Sequence, residues 1–376
     1  MPRTSSPPAA TTAPPVPRGD GRLRLLDATV GVGLLAAAGA LRRRRRRPEP
    51  LRRIGLMKST GIGDMILLSG VVQDVAAAFP EAETILFAGS DNRDVAQLVD
   101  GVEVVVLPMG EPWEAARRLR ARRLDVLADF GQWTRVEALC ALLSGARWTI
   151  GFETPGQRRH YGYDETVPHL RDVHELENYR RLAARLGVES HREPAFSPNG
   201  VVDAPRRPFV VFHLWPGGYR SELKEWPLSS WRELARRLAA RGYSIVLTGS
   251  EADAPRTEEF ARSCNGVAES IESVAGRYPL RELAGLLHRA SCVVSVNTGV
   301  MHLAAAAGAP TVALNGPTSE ARWGPVGARA VSVNSELPGC GYLNLGFEYD
   351  GRRTDCMCGI SVDRVVDAVL ALADDA

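Results

Sequence analysis

Short apolar runs alternate with longer amphipathic or Ala-rich segments along most of the chain, and each run leads into a turn rich in Gly, Asn or Asp. This alternation is typical of βα units, in which helices cover a parallel sheet. It falls into two series, which predict one α/β domain over residues 53–200 and a second over residues 201–376. The predicted strands are Ile54–Met57, Thr84–Ala88, Glu103–Leu107, Leu124–Ala128 and Arg147–Gly151, then Phe209–His213, Ser244–Leu247, Cys292–Val296 and Thr311–Leu314.

The stretch from Cys292 to Pro325 carries the strongest local pattern. Its first strand leads through Asn297-Thr298-Gly299 into an Ala-rich helix that starts at Val300. The first backbone N–H groups of a helix have no partner inside the helix, and partial positive charge gathers there. We therefore expect the turn to bind an anion such as a phosphate. The alternative is an ordinary βα connection in which Thr298 only caps the helix.

A second Gly-rich loop, Lys58 to Asp64, follows the first predicted strand. It has neither the GxGxxG order nor the Walker pattern, so it predicts no dinucleotide or ATP site. Asp64 starts the next helix at the carboxyl edge of a parallel sheet, where ligands of such folds bind. A general base and a simple helix-capping residue are both consistent with a carboxylate at this position.

Three further features of the second series point to a ligand. Lys224 follows the turn Gly217-Gly218, where an ammonium can meet a diphosphate as a point charge. Glu251 follows a strand-end glycine, where a carboxylate can accept hydrogen bonds from ribose hydroxyls. His302 lies one turn into the Ala-rich helix. The alternatives are a solvated lysine, a helix-start acid and a histidine that only lines the cleft.

Basic residues are distributed unevenly. Residues 1–53 contain twelve arginines and three acids, a net charge of +9, whereas the rest of the chain carries −7. The mildly acidic body argues against nucleic-acid binding. Of 46 basic residues only Lys58 and Lys224 are lysines, so these two positions are candidates for needing a compact ammonium.

The N-terminal 52 residues form an appendage. Residues 1–22 are rich in Pro, Ala, Ser and Thr and are predicted to be disordered, while residues 23–52 combine an apolar run, Ala28–Leu41, with Arg42–Arg47. The apolar run is shorter than the ~20 residues that span a bilayer, and the arginines oppose translocation. We expect an interfacial anchor at the cytoplasmic face of the inner membrane, with the body in the cytoplasm. A misassigned start codon is the alternative.

Four motifs in order resemble glycosyltransferase family 9, the heptosyltransferases of lipopolysaccharide core assembly and their relatives. They are Lys58–Asp64, Lys224-Glu225-Trp226-Pro227, the stretch Asn297–Leu314, and Trp323-Gly324-Pro325. The resemblance covers the chain from about residue 53 to its end. It implies the GT-B fold of two facing Rossmann-like domains, with the acceptor on the N-terminal side and a nucleotide-diphospho-sugar such as ADP-heptose on the C-terminal side. It also implies an inverting mechanism.

The resemblance assigns roles to individual residues. Asp64 matches the proposed base, Lys224 the contact to the donor phosphates and Glu251 the acid near the ribose. Many members have Asp where this chain has Asn297, so the donor sugar is left open between heptose and a related sugar. The expected donor-side residues are Lys58, Gly217, Gly218, Lys224, Glu251, Asn297, Thr298, Gly299, Val300 and His302, and the expected acceptor-side residues are Ser59, Thr60, Gly61 and Gly63.

No metal and no cofactor are expected, since the chain lacks the Asp-x-Asp element of metal-dependent glycosyltransferases. Whether Cys340, Cys356 and Cys358 pair, pack or bind a metal stays open at this point. The expected function is transfer of a sugar to a glycolipid or glycan of the cell envelope. Two alternatives remain, a nucleotide-sugar epimerase of the same architecture and a non-catalytic, membrane-tethered protein that binds nucleotide sugars.

Overall fold

Two six-stranded, fully parallel sheets form the framework of the chain. The computed structural model describes residues 31–40, 44–197, 208–346 and 348–374. The segment that was predicted to be disordered, residues 1–22, lies outside these ranges, as does part of the linker between the sheets. The predicted α/β class and GT-B arrangement are confirmed.

The N-terminal sheet has the strand order β3-β2-β1-β4-β5-β6, so its first strand is central. Each of its first five strands is followed by a helix or a 3₁₀ turn that returns the chain to the same end of the sheet. Its strands are β1 (Arg53–Lys58), β2 (Glu83–Ala88), β3 (Glu103–Val106), β4 (Val126–Asp129), β5 (Trp148–Glu153) and β6 (Glu165–Pro168). Helix α1 (Val32–Ala40) precedes the sheet. The helices that follow its strands are α2 (Ile62–Ala78), α3 (Arg93–Ala96), α4 (Pro112–Ala121), α5 (Arg135–Leu143) and α6 (Glu175–Ala184).

The C-terminal sheet has the equivalent order β12-β11-β10-β7-β8-β9. The strands that precede the candidate loops, β8, β7 and β10, are therefore direct neighbours. The strands are β7 (Phe209–His213), β8 (Ser244–Thr248), β9 (Ile271–Ser273), β10 (Cys292–Val296), β11 (Thr311–Asn315) and β12 (Ala330–Asn334). The helices are α7 (Leu228–Ala239), α8 (Ala254–Ser263), α9 (Leu280–Arg289), α10 (Gly299–Ala306), α11 (Glu320–Trp323) and α12 (Val362–Asp374).

The two halves share one apolar core, and helix α2 is at its centre. Residues 65–72 of this helix are all buried, as their almost wholly apolar sequence requires, and the helix packs against α10 of the other half. Two glycines allow the close approach. A Cβ on Gly63 would lie 2.7 Å from Cδ2 of His302, and a Cβ on Gly299 would lie 2.6 Å from Cγ2 of Ile62.

Helix α1, which contains most of the apolar run of the appendage, lies on the N-terminal half. Leu35 is completely buried in the cluster that includes Ala138 and Tyr163, and a Cβ on Gly39 would lie 2.6 Å from the carbonyl oxygen of Tyr161. The Arg45 guanidinium contacts Asp164 at 3.1 Å. Among the helices in the described ranges, none is long and apolar enough to cross a bilayer. Part of the predicted anchor is therefore packed as an integral element of the fold.

We predict that Leu35→Asp detaches α1, because the carboxylate would be buried among apolar side chains without a partner. The measurement is the rate of limited trypsin cleavage after the arginines at positions 44–47, which should rise at least about tenfold while the remaining body resists digestion. Gly33→Asp is the matched control, since a Cβ at Gly33 meets nothing within 4 Å. Equal cleavage rates in the two variants would contradict the packing of α1.

Candidate active site

The loops that were singled out in the two halves face each other at the N-termini of α2 and α10. Gly63 in the first turn of α2 lies against His302, and Gly299 at the start of α10 lies against Ile62. Asp64 is in the first turn of α2, next to this contact. The structure thus brings the predicted base and the predicted anion-binding turn to the same boundary between the halves.

Three donors converge on Oδ1 of Asp64. They are Nε2 of Gln132 at 2.8 Å, the hydroxyl of Tyr179 at 3.0 Å and Nζ of Lys58 at 3.2 Å. Burial, together with the neighbouring Asp64, holds the pKa of Tyr179 well above its ordinary value, so the phenol remains a donor. The Asp64 side chain keeps 19% of its surface exposed. These contacts fix the orientation of a carboxylate that is still open to solvent.

The loop before Asp64 admits only glycine at position 61. Gly61 has a φ of +89°, and a Cβ there would lie 2.2 Å from Oδ2 of Asp64. Lys58 at the end of β1 is 1% exposed, and its Nζ also donates to Oε1 of Gln132 at 2.9 Å. A compact ammonium therefore contacts both Gln132 and Asp64, which agrees with the use of lysine here. Lys58 lies in the Asp64 cluster of the N-terminal half, whereas the family resemblance groups it with the donor side.

A buried ionic network supports this loop from below. Arg159 contacts Asp129 at 2.7 Å and Glu137 at 3.2 Å, and Glu137 accepts the backbone N–H of Ser59 at 3.2 Å. Burial raises the pKa of Asp129 to about 6 although Arg159 opposes the shift. Burial alone would also raise the pKa of Glu137, but Arg159 and then Lys58 lower it. The network ties Ser59, a predicted acceptor-side residue, to the interior of the N-terminal half.

On the C-terminal side, the loop after β7 places Lys224 beside the glycine turn. Its Nζ donates to the carbonyl of Gly217 at 2.8 Å and lies 3.9 Å from the Cβ position of Gly218, which has a φ of +99°. Glu251 is exposed at the first residue after Ser250 in the loop that follows β8. Because β8, β7 and β10 are neighbours, Glu251, Lys224 and the turn at 297–302 belong to successive loops along one edge.

The turn after β10 forms the hydrogen bond that the capping alternative describes. Oγ1 of Thr298 accepts the N–H of Val300 at 3.2 Å. Nδ2 of Asn297 donates to Oδ1 of Asn315 and to the carbonyl of Trp323, both at 2.9 Å. An anion that accepts the N–H of Val300 would have to replace the Thr298 hydroxyl as its acceptor. The predicted phosphate contact and the observed helix cap therefore compete for the same backbone N–H.

His302 is 4% exposed and lies against Gly63. Burial, and then the nearby His174, lower its pKa to about 3, so the imidazole is neutral at physiological pH. Within the described ranges no residue forms a hydrogen bond with its Nδ1. The histidine can therefore offer a ligand a neutral hydrogen-bonding group, not a charge.

Several of these residues carry little or no signal in the sequence. Gln132 carries a weak signal, because it follows β4 at the same sheet edge as Lys58. Ligands of such folds bind at the carboxyl ends of the strands, so this position alone makes Gln132 a candidate. Tyr179 lies inside helix α6 and Arg159 in a 3₁₀ turn, where no local pattern marks them as partners of the site. Their roles depend on tertiary packing alone.

The described part of the chain contains no group of three or more His, Cys, Asp or Glu side chains placed to hold a metal ion. Of the alternatives left open for the cysteines, pairing applies to two of them, because a disulfide joins Cys340 to Cys356. Cys358 is an exposed thiol. The disulfide closes the segment that contacts the loop after β11, where Gly341 donates to the carbonyl of Gly316 at 3.0 Å.

The sequence profile of glycosyltransferase family 9 (heptosyltransferase) matches residues 113–340. Lipopolysaccharide heptosyltransferase 1 of Salmonella typhimurium is 36% identical over 314 residues, which cover 75% of this chain and 94% of the relative. Lipopolysaccharide heptosyltransferase 2 of the same organism is 33% identical over 288 residues, 69% of this chain and 81% of the relative.

Solved structures with the same fold include the Escherichia coli ADP-heptose lipopolysaccharide heptosyltransferase II. It has a TM-score of 0.69 and 23% identity over 87% of this chain and 100% of that chain. An E. coli heptosyltransferase with ADP-2-deoxy-2-fluoro heptose has a TM-score of 0.66 and 20% identity over 86% of this chain and 100% of that chain.

Two facing parallel sheets with this site between them define a glycosyltransferase of the GT-B fold. The chain belongs to glycosyltransferase family 9. The matched range contains Lys224, Glu251 and residues 297–302 but starts after Asp64, so the role of Asp64 rests on the geometry and on the resemblance of its loop.

We predict that Lys224→Met weakens the binding of ADP, measured by calorimetry, by about 10- to 100-fold, because a hydrogen bond to a charged phosphate is lost. Lys224→Arg should restore only part of the affinity, since a planar guanidinium does not replace a compact ammonium in this turn. The matched control is Arg241→Met, an exposed basic residue on the C-terminal half. An unchanged ADP affinity in Lys224→Met would remove this residue from the phosphate site.

Proposed function

We propose that this enzyme transfers a heptose or a related sugar from an ADP-linked donor to the lipopolysaccharide core or a similar cell-envelope glycolipid. The names of its relatives support the donor and the acceptor, since they are lipopolysaccharide heptosyltransferases. The observation that carries the proposal is the partly exposed carboxylate of Asp64, which Gln132, Tyr179 and Lys58 orient beside the start of α10. The donor binds the C-terminal half, and the acceptor enters from the side of the loop that contains Ser59, Thr60, Gly61 and Gly63.

In the proposed mechanism Asp64 takes the proton of an acceptor hydroxyl as the oxygen attacks the anomeric carbon. The attack comes from the face opposite the diphosphate, so the configuration at that carbon inverts. Positioned general-base assistance contributes ~10²–10⁴-fold to such a rate. Lys58, Gln132 and Tyr179 hold the carboxylate in the orientation that the transfer requires.

Negative charge on the leaving ADP is stabilised by protein groups in this proposal. Lys224 supplies a positive charge, and the start of α10 supplies backbone donors at Thr298, Gly299 and Val300. The neutral imidazole of His302 offers one further hydrogen bond to the donor. Glu251 accepts hydrogen bonds from the ribose. We propose that these groups replace a metal ion, and retention of activity in excess EDTA tests this point.

The epimerase alternative makes a different product from the same nucleotide sugar. An epimerase releases a free or nucleotide-linked epimer without an acceptor, whereas a transferase forms a new glycosidic bond only when the acceptor is present. The non-catalytic alternative predicts donor binding without turnover. Mass spectrometry of reactions with ADP-heptose and a heptose-deficient lipopolysaccharide core separates the three cases.

We predict that Asp64→Asn lowers kcat by ~10²–10⁴-fold, because the amide cannot accept the proton. Affinity for ADP-heptose should stay within about twofold, since Asp64 acts on the acceptor in this proposal. Asp94→Asn is the control, as Asp94 is an exposed residue of the same half that pairs with Arg93. A kcat like that of the wild type would show that Asp64 is not the base.

We also propose that the enzyme works at the cytoplasmic face of the inner membrane and that the arginine run binds anionic lipid. Leu35 is buried against the body and is not available for insertion, so the proposal assigns the attraction to the charges. Arg45 and Arg47 contact the body through Asp164 and the carbonyl of Leu186, while Arg44 and Arg46 are exposed.

We predict that changing both Arg44 and Arg46 to Gln weakens binding to vesicles of phosphatidylethanolamine and phosphatidylglycerol by roughly 30-fold, at about 1 kcal/mol for each arginine. Binding should also fall with added salt. Flotation of the protein with the vesicles is the measurement, and Arg117 and Arg236 changed together to Gln provide a charge-matched control. Equal flotation of both double variants would contradict a lipid role for the arginine run.

A further inference from the structure

A buried ion pair crosses from one half of the enzyme to the other. Arg322 in α11 of the C-terminal half contacts Glu175, the first residue of α6 in the N-terminal half, and both side chains are fully buried. Nη1 of Arg322 also donates to the carbonyl of Leu170 at 2.6 Å and lies 3.3 Å from that of Val173. Removal of Arg322 would leave the buried Glu175 carboxylate with contacts to His169 at 3.2 Å and Asn178 at 3.3 Å but without the guanidinium, so this ion pair constrains both elements.

A second contact holds the same end of α6. His174 caps the helix, because its Nδ1 accepts the N–H of Leu176 at 3.2 Å, and its Nε2 donates to the carbonyl of Gly324 at 3.0 Å. Burial lowers the pKa of His174, which favours the neutral form that can donate and accept at once. Residues 322–324 of the C-terminal half thus contact both the capping residue of α6, His174, and its first residue, Glu175.

Helix α6 reaches the candidate base one turn later. Tyr179 is four residues after Glu175, so the two side chains project from the same face of the helix, and the Tyr179 hydroxyl donates to Asp64 at 3.0 Å. On the other side of the ion pair, the carbonyl of Trp323 accepts a hydrogen bond from Asn297. A continuous set of contacts therefore joins the turn at 297–299 to Asp64.

We propose that Arg322 is a positioning residue that acts on the reaction through α6 and the hydroxyl of Tyr179. It holds Tyr179 against Asp64 only while α11, with the donor-side residue Asn297, is in place. The carboxylate is therefore oriented when the two halves are engaged and loses the hydrogen bond from Tyr179 when they separate. This inference rests on the proposed function, because it takes Asp64 as the base of the transfer.

The competing explanation is that Arg322 only adds stability to the contact between the halves. The two explanations differ in whether the effect of Arg322 needs Tyr179. If Arg322 acts through the Tyr179 hydroxyl, the two residues form one unit and their effects on kcat are strongly non-additive. If it only stabilises the fold, its effect on kcat is independent of Tyr179.

The experiment is a double-mutant cycle with Arg322→Lys and Tyr179→Phe. Arg322→Lys keeps the charge but loses the fork that reaches Glu175 and the Leu170 carbonyl together. We expect it to lower kcat by up to roughly 10²-fold with little change in the KM for the donor, as for a misplaced catalytic group. In the Tyr179→Phe background the same substitution should change kcat by no more than about twofold. A full additional loss in that background would overturn the proposal.

Glu175→Gln provides the same cycle if Arg322→Lys does not fold, and Arg277→Lys, at an exposed pair with Glu272, is the control. Hydrogen exchange of the intact enzyme supplies a readout that does not depend on activity. Exchange in residues 175–184 should accelerate in Arg322→Lys and not in the control, and unchanged protection there would overturn the inference. If the wild-type enzyme transfers no sugar, the proposed function is wrong. The hydrogen-exchange result would still show whether Arg322 holds the start of α6.

Discussion

The close approach of two helix N-termini determines where this enzyme can have an active site. Helices α2 and α10 meet at Gly63 and Gly299, where a methyl group on either glycine would collide with the opposite half. Because each helix follows a strand of its own sheet, their contact turns the carboxyl edges of the two sheets toward one boundary. Asp64 and the turn at 297–302 are brought together as a consequence, since both belong to the first turns of these helices or to the loops before them.

The Asp64 site also depends on a buried ionic network below its loop. Lys58 and Arg159 neutralise Glu137 in an interior where either sign alone would be costly, and Glu137 in turn fixes the backbone of Ser59. Lys58 therefore has two functions. It contacts the Asp64 carboxylate, and it lowers the pKa of Glu137 below the loop. This explains why an ammonium is retained here in a chain that otherwise uses arginine almost everywhere.

The fold was predictable from the sequence wherever a strand formed a distinct apolar run. The mostly apolar central strands β1, β4, β7 and β10 were predicted, as was the edge strand β3, whereas the edge strands β6, β9 and β12 are short or alternate with polar residues and were not predicted. The candidate site was predictable for a related reason, because Asp64, Lys224 and Asn297 lie in the loops or first helical turns that follow predicted strands. Tyr179, Arg159 and Arg322 contribute through side chains that reach across other elements, and Leu35 is buried by a surface formed by distant residues. No local spacing encodes such contacts.

Asn297 stands where the family resemblance leads us to expect Asp, and its contacts suit the amide. Both of its amide hydrogen bonds go to acceptors, Oδ1 of Asn315 and the carbonyl of Trp323, so a carboxylate in its place would face two oxygens. Asn315 cannot simply turn its amide around, because its Nδ2 already donates to Ser332 in the middle of β12 and to Asn334 at its end. The neutral side chain at 297 is thus part of a set of amides across three neighbouring strands. Any effect of residue 297 on the choice of donor sugar therefore depends also on its two acceptors, Asn315 and the carbonyl of Trp323, and Trp323 is adjacent to Arg322 in the chain.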